Sequence, residues 1–397
     1  MSATALEKWR RPEVLLLLMA AAVPLSFATW QALLNNFAIE KAAFTGAEIG
    51  ILQSLREVPG FLAFAVVFVL LVLREQTLAI ISLALLGIGT ALTGFFPTVI
   101  GLYCTTVLMS IGFHYYETVQ SSLALQWIDK LRAPETFGRL IAVGSLTSLL
   151  AYGLVWLAFD TLGIGYRATY LVAGGLTLGI AMAAWLMFPH YPEKVVQHRK
   201  IVLRRRYWLY YGLTFLSGAR RQIFMVFAGF LLVEKFGYQV EQIALLFLIN
   251  GALNVVLAPR IGRLIARWGE RRALIFEYLG LVGVFTAYAF VESANVAAVL
   301  YVVDHVFFAL AIAIKTYFQK IADPRDIAAT AAVGFTINHI AAVAIPAAFG
   351  LLWLVSPSAV FLSGAAIALL STALAAMVPH QPAPGKETTF SALPETA

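Results

Sequence analysis

The chain has 397 residues, of which 61% are hydrophobic and only 12% charged, against roughly 25% charged in an ordinary soluble domain. That balance excludes a water-soluble globular protein and reads as an integral membrane protein. The formal net charge of +7 reflects topology and not a nucleic-acid partner, because the basic residues sit in short loops between apolar segments; the single cysteine, Cys104, excludes an intrachain disulfide and any multi-cysteine metal site.

A membrane-spanning helix needs about 20 mostly apolar residues. Roughly twelve such segments follow one another: 13–37, 46–73, 76–96, 98–126, 136–160, 166–188, 208–234, 240–260, 272–291, 296–319, 327–353 and 357–378. Pro97, Pro134, Pro189, Pro259, Pro324 and Pro357 fall at or near their ends, where they act as helix stop signals. The first segment has no small-residue cleavage site and a second span follows directly, so it reads as a retained helix.

Lysine and arginine set the orientation. One set of loops holds Lys8, Arg10, Arg11, Arg74, Lys130, Arg132, Arg139, Lys194, Arg199, Lys200, Arg204, Arg205, Arg206, Arg260, Arg263, Arg267, Arg271, Arg272, Lys320 and Arg325; the opposite set holds only Lys41, Arg167 and Lys235. The positive-inside rule puts the first set and both termini in the cytoplasm, as expected of a multi-pass protein of the inner (plasma) membrane. A basic cytoplasmic linker, 189–207, separates an N-terminal six-helix half, 1–188, from a C-terminal six-helix half, 208–380. The tail 381–397, with its Pro, Gly, Thr and Glu, is expected to be disordered.

The two halves echo each other. Phe37–Lys41 with Glu48–Ile49 matches Leu231–Lys235 with Glu241 and Ile243; His114, Gln126 and Pro134 match His305, Gln319 and Pro324; Val143–Gly144 matches Val333–Gly334, all at an offset of about 190–194 residues. A parallel repeat of two six-helix halves is a transporter architecture, with the site at the bilayer midplane.

With twelve spans, a 6+6 repeat, a central basic loop and cytoplasmic termini, the chain resembles the major facilitator superfamily (MFS). A loop motif of that family, Gly-x-Leu-Ala-Asp-Arg-x-Gly-Arg, is similar to Gly262-Arg263-Leu264-Ile265-Ala266-Arg267-Trp268-Gly269-Glu270-Arg271-Arg272, with Ala266 in place of the acid; its first copy is reduced to Arg74–Glu75. The arginine motif of the fourth helix and the Gly-Pro signature of drug/proton antiporters are both missing, which argues against drug efflux. The resemblance implies an all-α fold of twelve helices in two pseudo-symmetric halves. It also implies a cytoplasmic gate formed by Gly262, Arg263, Arg267, Gly269, Arg271 and Arg272, and a cavity lined by the first, fourth, seventh and tenth helices.

Those helices carry charge where charge is expensive. A charged side chain at the bilayer centre costs at least about 2.5–3.5 kcal/mol, so it persists where it faces a bundle interior or a wet cavity. The fourth segment carries His114, Tyr115 and Glu117, with His114 and Glu117 one helical turn apart on one face. The seventh carries Arg220 and Arg221; successive residues on a helix point about 100° apart, so the pair cannot face one point. The tenth carries Asp304, His305 and Lys315, the second Arg56 and Glu57, the eighth Asn250, and the eleventh Asn338 and His339. Counting cations Arg56, Arg220, Arg221 and Lys315 against anions Glu57, Glu117 and Asp304 leaves a slightly positive centre.

An arginine without an internal partner favours a carboxylate or phosphate, which its planar fork holds through two hydrogen bonds. The expected solute is therefore small, organic and anionic, bound by Arg56, Tyr115, Arg220, Arg221, Asn250 and Asn338. His114, Glu117, Asp304, His305 and His339 are the candidates for proton coupling, since buried histidines and carboxylates exchange protons near neutral pH. Static ion pairing between helices is the competing role for each of them. The chain is expected to work as a monomer in the bilayer, with no cofactor and no bound metal. A carrier of transition metal or metal chelate such as a siderophore, resting on the histidines, and an intramembrane enzyme or receptor on the same fold are the alternatives. No Walker motif is present, so ATP does not drive this chain directly.

Overall fold

Inside hydrocarbon every backbone amide must be satisfied within the protein, so apolar runs of this length fold as helices. In the structure, a computed structural model that describes residues 9–127, 133–192, 203–323 and 327–390, the helices are α1 Pro12–Ala42, α2 Gly46–Phe61, α3 Glu75–Thr93, α4 Val99–Trp127, α5 Ala133–Asp160 and α6 Tyr166–Met187. The second half gives α7 Arg205–Glu234, α8 Val240–Trp268, α9 Glu270–Ala289, α10 Ala294–Ile321, α11 Ile327–Val355 and α12 Pro357–Ala376. Lys8, Lys130, Arg132, Lys194, Arg199, Lys200, Pro324 and Arg325, most of the linker and residues 391–397 lie outside the described residues.

Eleven of these helices are long and apolar enough to cross a membrane among the described residues. The exception is α2. It ends at Phe61, two residues past Pro59, and continues as a 3-10 turn, Leu62–Ala65, and a single helical turn, Val66–Val69. The expected continuous span 46–73 is therefore interrupted after Phe61, just past Pro59. Local sequence also sets ends elsewhere. Pro357 opens α12 beside Ser356, whose side chain accepts a hydrogen bond from the Ala359 amide at 3.1 Å. Gly269, at φ +80°, makes the turn between α8 and α9 in a conformation that a side chain would strain.

Two compact units emerge. The first joins residues 1–44 and 55–197 to a short piece of α8, 238–248. Here α3 packs against α4 and α6 at glycines. A side chain on Gly87 meets the Gly174 carbonyl and the Leu178 backbone, one on Gly174 meets Gly87 and Ala91, and one on Gly112 meets Ser82 and Leu86. Small residues let membrane helices approach backbone to backbone. Ser26 donates to Thr177 Oγ1 at 2.8 Å, and Thr177 donates to the Ala22 carbonyl at 2.9 Å, tying α1 to α6. The α8 piece is held by Asn36, which donates to the Tyr238 carbonyl at 2.6 Å, and by Tyr152 stacked on Phe247 at 5.0 Å.

This packing gives a matched pair of variants. Gly174→Leu is expected to destabilise the purified protein strongly, while Gly175→Leu, whose site has open space around it, is expected to leave the melting temperature unchanged. Thermal melts in detergent check this; equal melts for both variants overturn the close-approach argument.

The second unit contains 45–54, 198–237 and 249–397. The exchanged pieces, 45–54 and 238–248, are equivalent under the internal repeat. Gly46 and Gly50 lie against Trp353, Pro346 and Gly350 of α11. Next to Pro346, the Ala347 amide donates to Ser54 Oγ at 2.9 Å. Trp353 donates to Glu234 at 2.9 Å and stacks on Phe227 at 5.3 Å. Tyr207, Tyr210, Leu274, Tyr278, Tyr317 and Phe318 belong to its buried apolar core.

The stretch after Gln381, expected as a disordered tail, is instead folded back on this unit as far as Phe390. Glu387 and Thr388 are buried, Tyr317 donates to the Glu387 carbonyl, and the Thr389 amide donates to the Met377 carbonyl at 2.8 Å. Backbone hydrogen bonds hold this segment, and polar composition does not reveal them.

Candidate functional site

In the first unit, charge gathers where α2 faces α4. Arg56 pairs with Glu57, its neighbour, and its guanidinium lies 5.8 Å from the centre of the Phe27 ring. His114 Nε2 stands 3.9 Å from Glu57, and its Nδ1 is within 3.0 Å of Ser110 Oγ and 3.1 Å of the Ser110 carbonyl. Ser110 Oγ in turn donates to the Arg56 carbonyl. The sequence reading placed Arg56 among the solute anchors. Geometry gives it an internal carboxylate and an aromatic face instead, and Glu57 joins His114 as its partner.

One helical turn on, Glu117 is exposed. It lines a cavity of about 270 Å³ with Gln120, Tyr116, Phe113, Pro24 and Gly144, between α1, α4 and α5. Among the described residues, Glu117 is the one charged side chain on that lining. An apolar and aromatic wall with a few convergent polar groups is the ordinary form of a small-molecule site. Tyr115, its neighbour, is half-buried and not part of the lining.

In the second unit the two adjacent arginines part company. Arg220 is wholly buried and Arg221 exposed. The Arg220 guanidinium lies 4.1 Å from the centre of the Tyr278 ring and 4.0 Å from Glu277 Oε1, and its Nε donates to the Leu216 carbonyl at 3.3 Å. Asp304 of α10 completes the cluster, within electrostatic reach of Arg220 and Glu277 and likewise wholly buried. Arg220 therefore does not offer its fork to a solute, because α9 and α10 enclose it. Arg221 lies within electrostatic reach of His305, which is half-buried.

Backbone irregularity accompanies these residues. In α7 a π-helical turn, Ile223–Ala228, begins directly after Gln222, and α10 carries a 3-10 turn, Ala309–Ala311, shortly after His305. Such breaks are frequent at functional sites because they re-aim side chains along a helix. Gly280, one turn from Glu277, lets the Phe307 ring of α10 lie against α9.

The remaining candidates scatter over the unit. Asn250 is buried, with no hydrogen-bond partner for its Oδ1. Asn338 sits against Gly218 of α7. His339 is buried, its Nδ1 3.0 Å from the Phe335 carbonyl. At the turn between α8 and α9, Gly262, Arg263, Arg267 and Arg272 are exposed and Arg271 is partly so. Glu270, which follows Gly269 in this stretch, is buried and pairs with Lys320 of α10 at 2.7 Å, within its own unit.

Sequence reasoning missed Glu277. It lies near the start of an apolar run, a place where a carboxylate reads as an end residue. The available signal was its position seven residues beyond Glu270, two helical turns inside the apolar run.

Helices that carry ionisable clusters and a lined cavity define a polytopic membrane transporter and not an enzyme, and the comparisons agree. The Major Facilitator Superfamily profile matches residues 14–346, and the chain belongs to that family. No curated protein matches it. Solved structures that it resembles include a mutant of the nucleoside transporter NupG, at 14% identity over 92% of this chain and 99% of that one with a TM-score of 0.76. A bacterial homologue of the human lysosomal transporter Spinster, inward-facing and occupied, gives 15%, 93%, 97% and 0.72. A POT family transporter in complex with 5-aminolevulinic acid gives 13%, 91%, 94% and 0.71. At these identities the likeness concerns the fold.

Proposed function

We propose that the chain is a proton-coupled secondary transporter that moves a small organic solute bearing an anionic group across the inner membrane by alternating access. The observation that carries the small-solute and proton-coupled part of this reading is the exposed Glu117 on a cavity of about 270 Å³ whose wall is otherwise apolar, aromatic or amide. That carboxylate suits a hydroxyl or amino group of a solute, or a proton exchanged with it. The exposed Arg221, in the middle of a membrane helix, supports the anionic group. Arg263, Arg267, Arg271 and Arg272 fit a cytoplasmic gate, since guanidinium groups at helix ends can pair with acids or helix C-termini when that side closes. The neighbours named for nucleosides and for 5-aminolevulinic acid mark the size of solute to try first.

The test is thermal stabilisation of the purified protein by a panel of nucleosides, amino acids, 5-aminolevulinic acid and mono- and dicarboxylates at two pH values. Uptake of any hit into proteoliposomes under a pH gradient follows. A ligand that binds only the folded state at a hundred times its dissociation constant adds about 2.7 kcal/mol. The expected hit is a carboxylate-bearing solute taken up faster when protons flow inward. Uptake of a hit that ignores the pH gradient overturns the coupling, and stabilisation by uncharged solutes alone overturns the anionic reading.

A further inference from the structure

The buried cluster of the second unit has a charge that does not close. Arg220 contributes one positive charge, Glu277 and Asp304 one negative charge each, and all three side chains are wholly excluded from solvent. Neither carboxylate finds a hydrogen-bond partner for either of its oxygens among the described residues, and the two terminal nitrogens of Arg220 find none either. The closest approach, Arg220 to Glu277 at 4.0 Å, is too long for a hydrogen bond.

We propose that Glu277 and Asp304 together form a one-proton site held against Arg220, so that the cluster is neutral when loaded and carries one uncompensated negative charge when empty. The inference rests on the proton-coupled reading and names, within the C-terminal half, the groups that carry the proton. A fully buried, uncompensated charge is among the least favourable arrangements in a protein interior, and a buried carboxyl group relieves it by taking up a proton. Two carboxylates beside one cation then share that proton and titrate as a pair. The balance is simple: one proton adds to a carboxylate oxygen, and no other bond changes.

The surroundings favour a proton over a metal cation. Sodium or calcium requires a cage of several oxygens, whereas the two acids here face a guanidinium that repels a cation. From α9 the neighbours are Tyr278, whose ring carries Arg220, and Tyr288, which lies within electrostatic reach of Asp304. From α10 there is Tyr301, near Tyr288, and from α7 Arg220; Arg221, its neighbour, is exposed and lies within electrostatic reach of His305. None of these groups adds a second cation that would close the charge.

The experiment is infrared difference spectroscopy of the full-length protein reconstituted in lipid, comparing wild type with Glu277→Gln and Asp304→Asn across a pH series. A protonated carboxyl group shows its own carbonyl-stretch band, separate from that of a carboxylate. Once either acid is made neutral, the other ionises opposite Arg220 and needs no proton. The expected result is that each single variant loses the band that the wild type shows and that the wild-type band titrates. Thermal melts confirm that both variants are folded. If the band is identical in wild type and both variants, or shifts in response to sodium instead of pH, the proposal is overturned. If the band behaves as expected while solute accumulation ignores the pH gradient, the proton site stands and the transport coupling falls, so the two failures are separable.

Discussion

Arg220→Met is expected to lower the stability of the purified protein by about 3–5 kcal/mol, the usual result of removing one member of a buried ion pair. Arg221→Ala, one residue away, is expected to leave the melting temperature where it is and to weaken solute uptake instead. The asymmetry follows from burial. The Arg220 guanidinium packs on Tyr278 and faces Glu277 and Asp304 with no solvent exposure. Methionine removes the one positive charge that Glu277 and Asp304 face, along with the ring contact, while keeping most of the volume. Arg221 is exposed, and truncating an exposed side chain seldom moves stability by more than about 0.5 kcal/mol. Detergent melts and the concentration dependence of uptake check both variants. Equal melting temperatures would falsify the assignment of Arg220 to the interior of the unit. Unchanged uptake affinity in Arg221→Ala would remove the main support for an anionic solute.

The same pair of arginines shows how far sequence could go. That they diverge is legible, because 100° separates neighbours on a helix. Which one turns inward is not, because that depends on where α9 and α10 lie, and the partner that decides it, Glu277, is far away in sequence. The spans, the repeat and the family were legible because hydrocarbon leaves the backbone so few options. The break in α2 was half-legible: Pro59 was in view, but the span still looked continuous by hydropathy. Leaving out Glu277 also tilted the charge count. With it, Arg56, Arg220, Arg221 and Lys315 face Glu57, Glu117, Asp304 and Glu277 in equal number. The positive centre inferred from counting is thereby lost, and the anionic reading rests on the exposure of Arg221 alone.

Glu117→Gln is expected to abolish proton-driven accumulation and to leave exchange of solute across the membrane partly intact. A solute moving with one proton concentrates about tenfold for each unit of pH difference, since one unit is worth about 1.36 kcal/mol per proton. The amide keeps the size of Glu117 and its ability to hydrogen-bond a solute, but it cannot take or release the proton. The variant should therefore equilibrate solute without concentrating it, while counterflow of labelled against unlabelled solute continues. The position of Glu117 makes this a sharp comparison, because it is exposed on the cavity. Accumulation that persists at the wild-type level across pH would assign the coupling elsewhere, to the Glu277–Asp304 pair or to His114, His305 or His339. Loss of accumulation in Glu117→Gln together with normal infrared titration of that pair would mean that the pair's proton alone does not concentrate solute and that Glu117 must work as well.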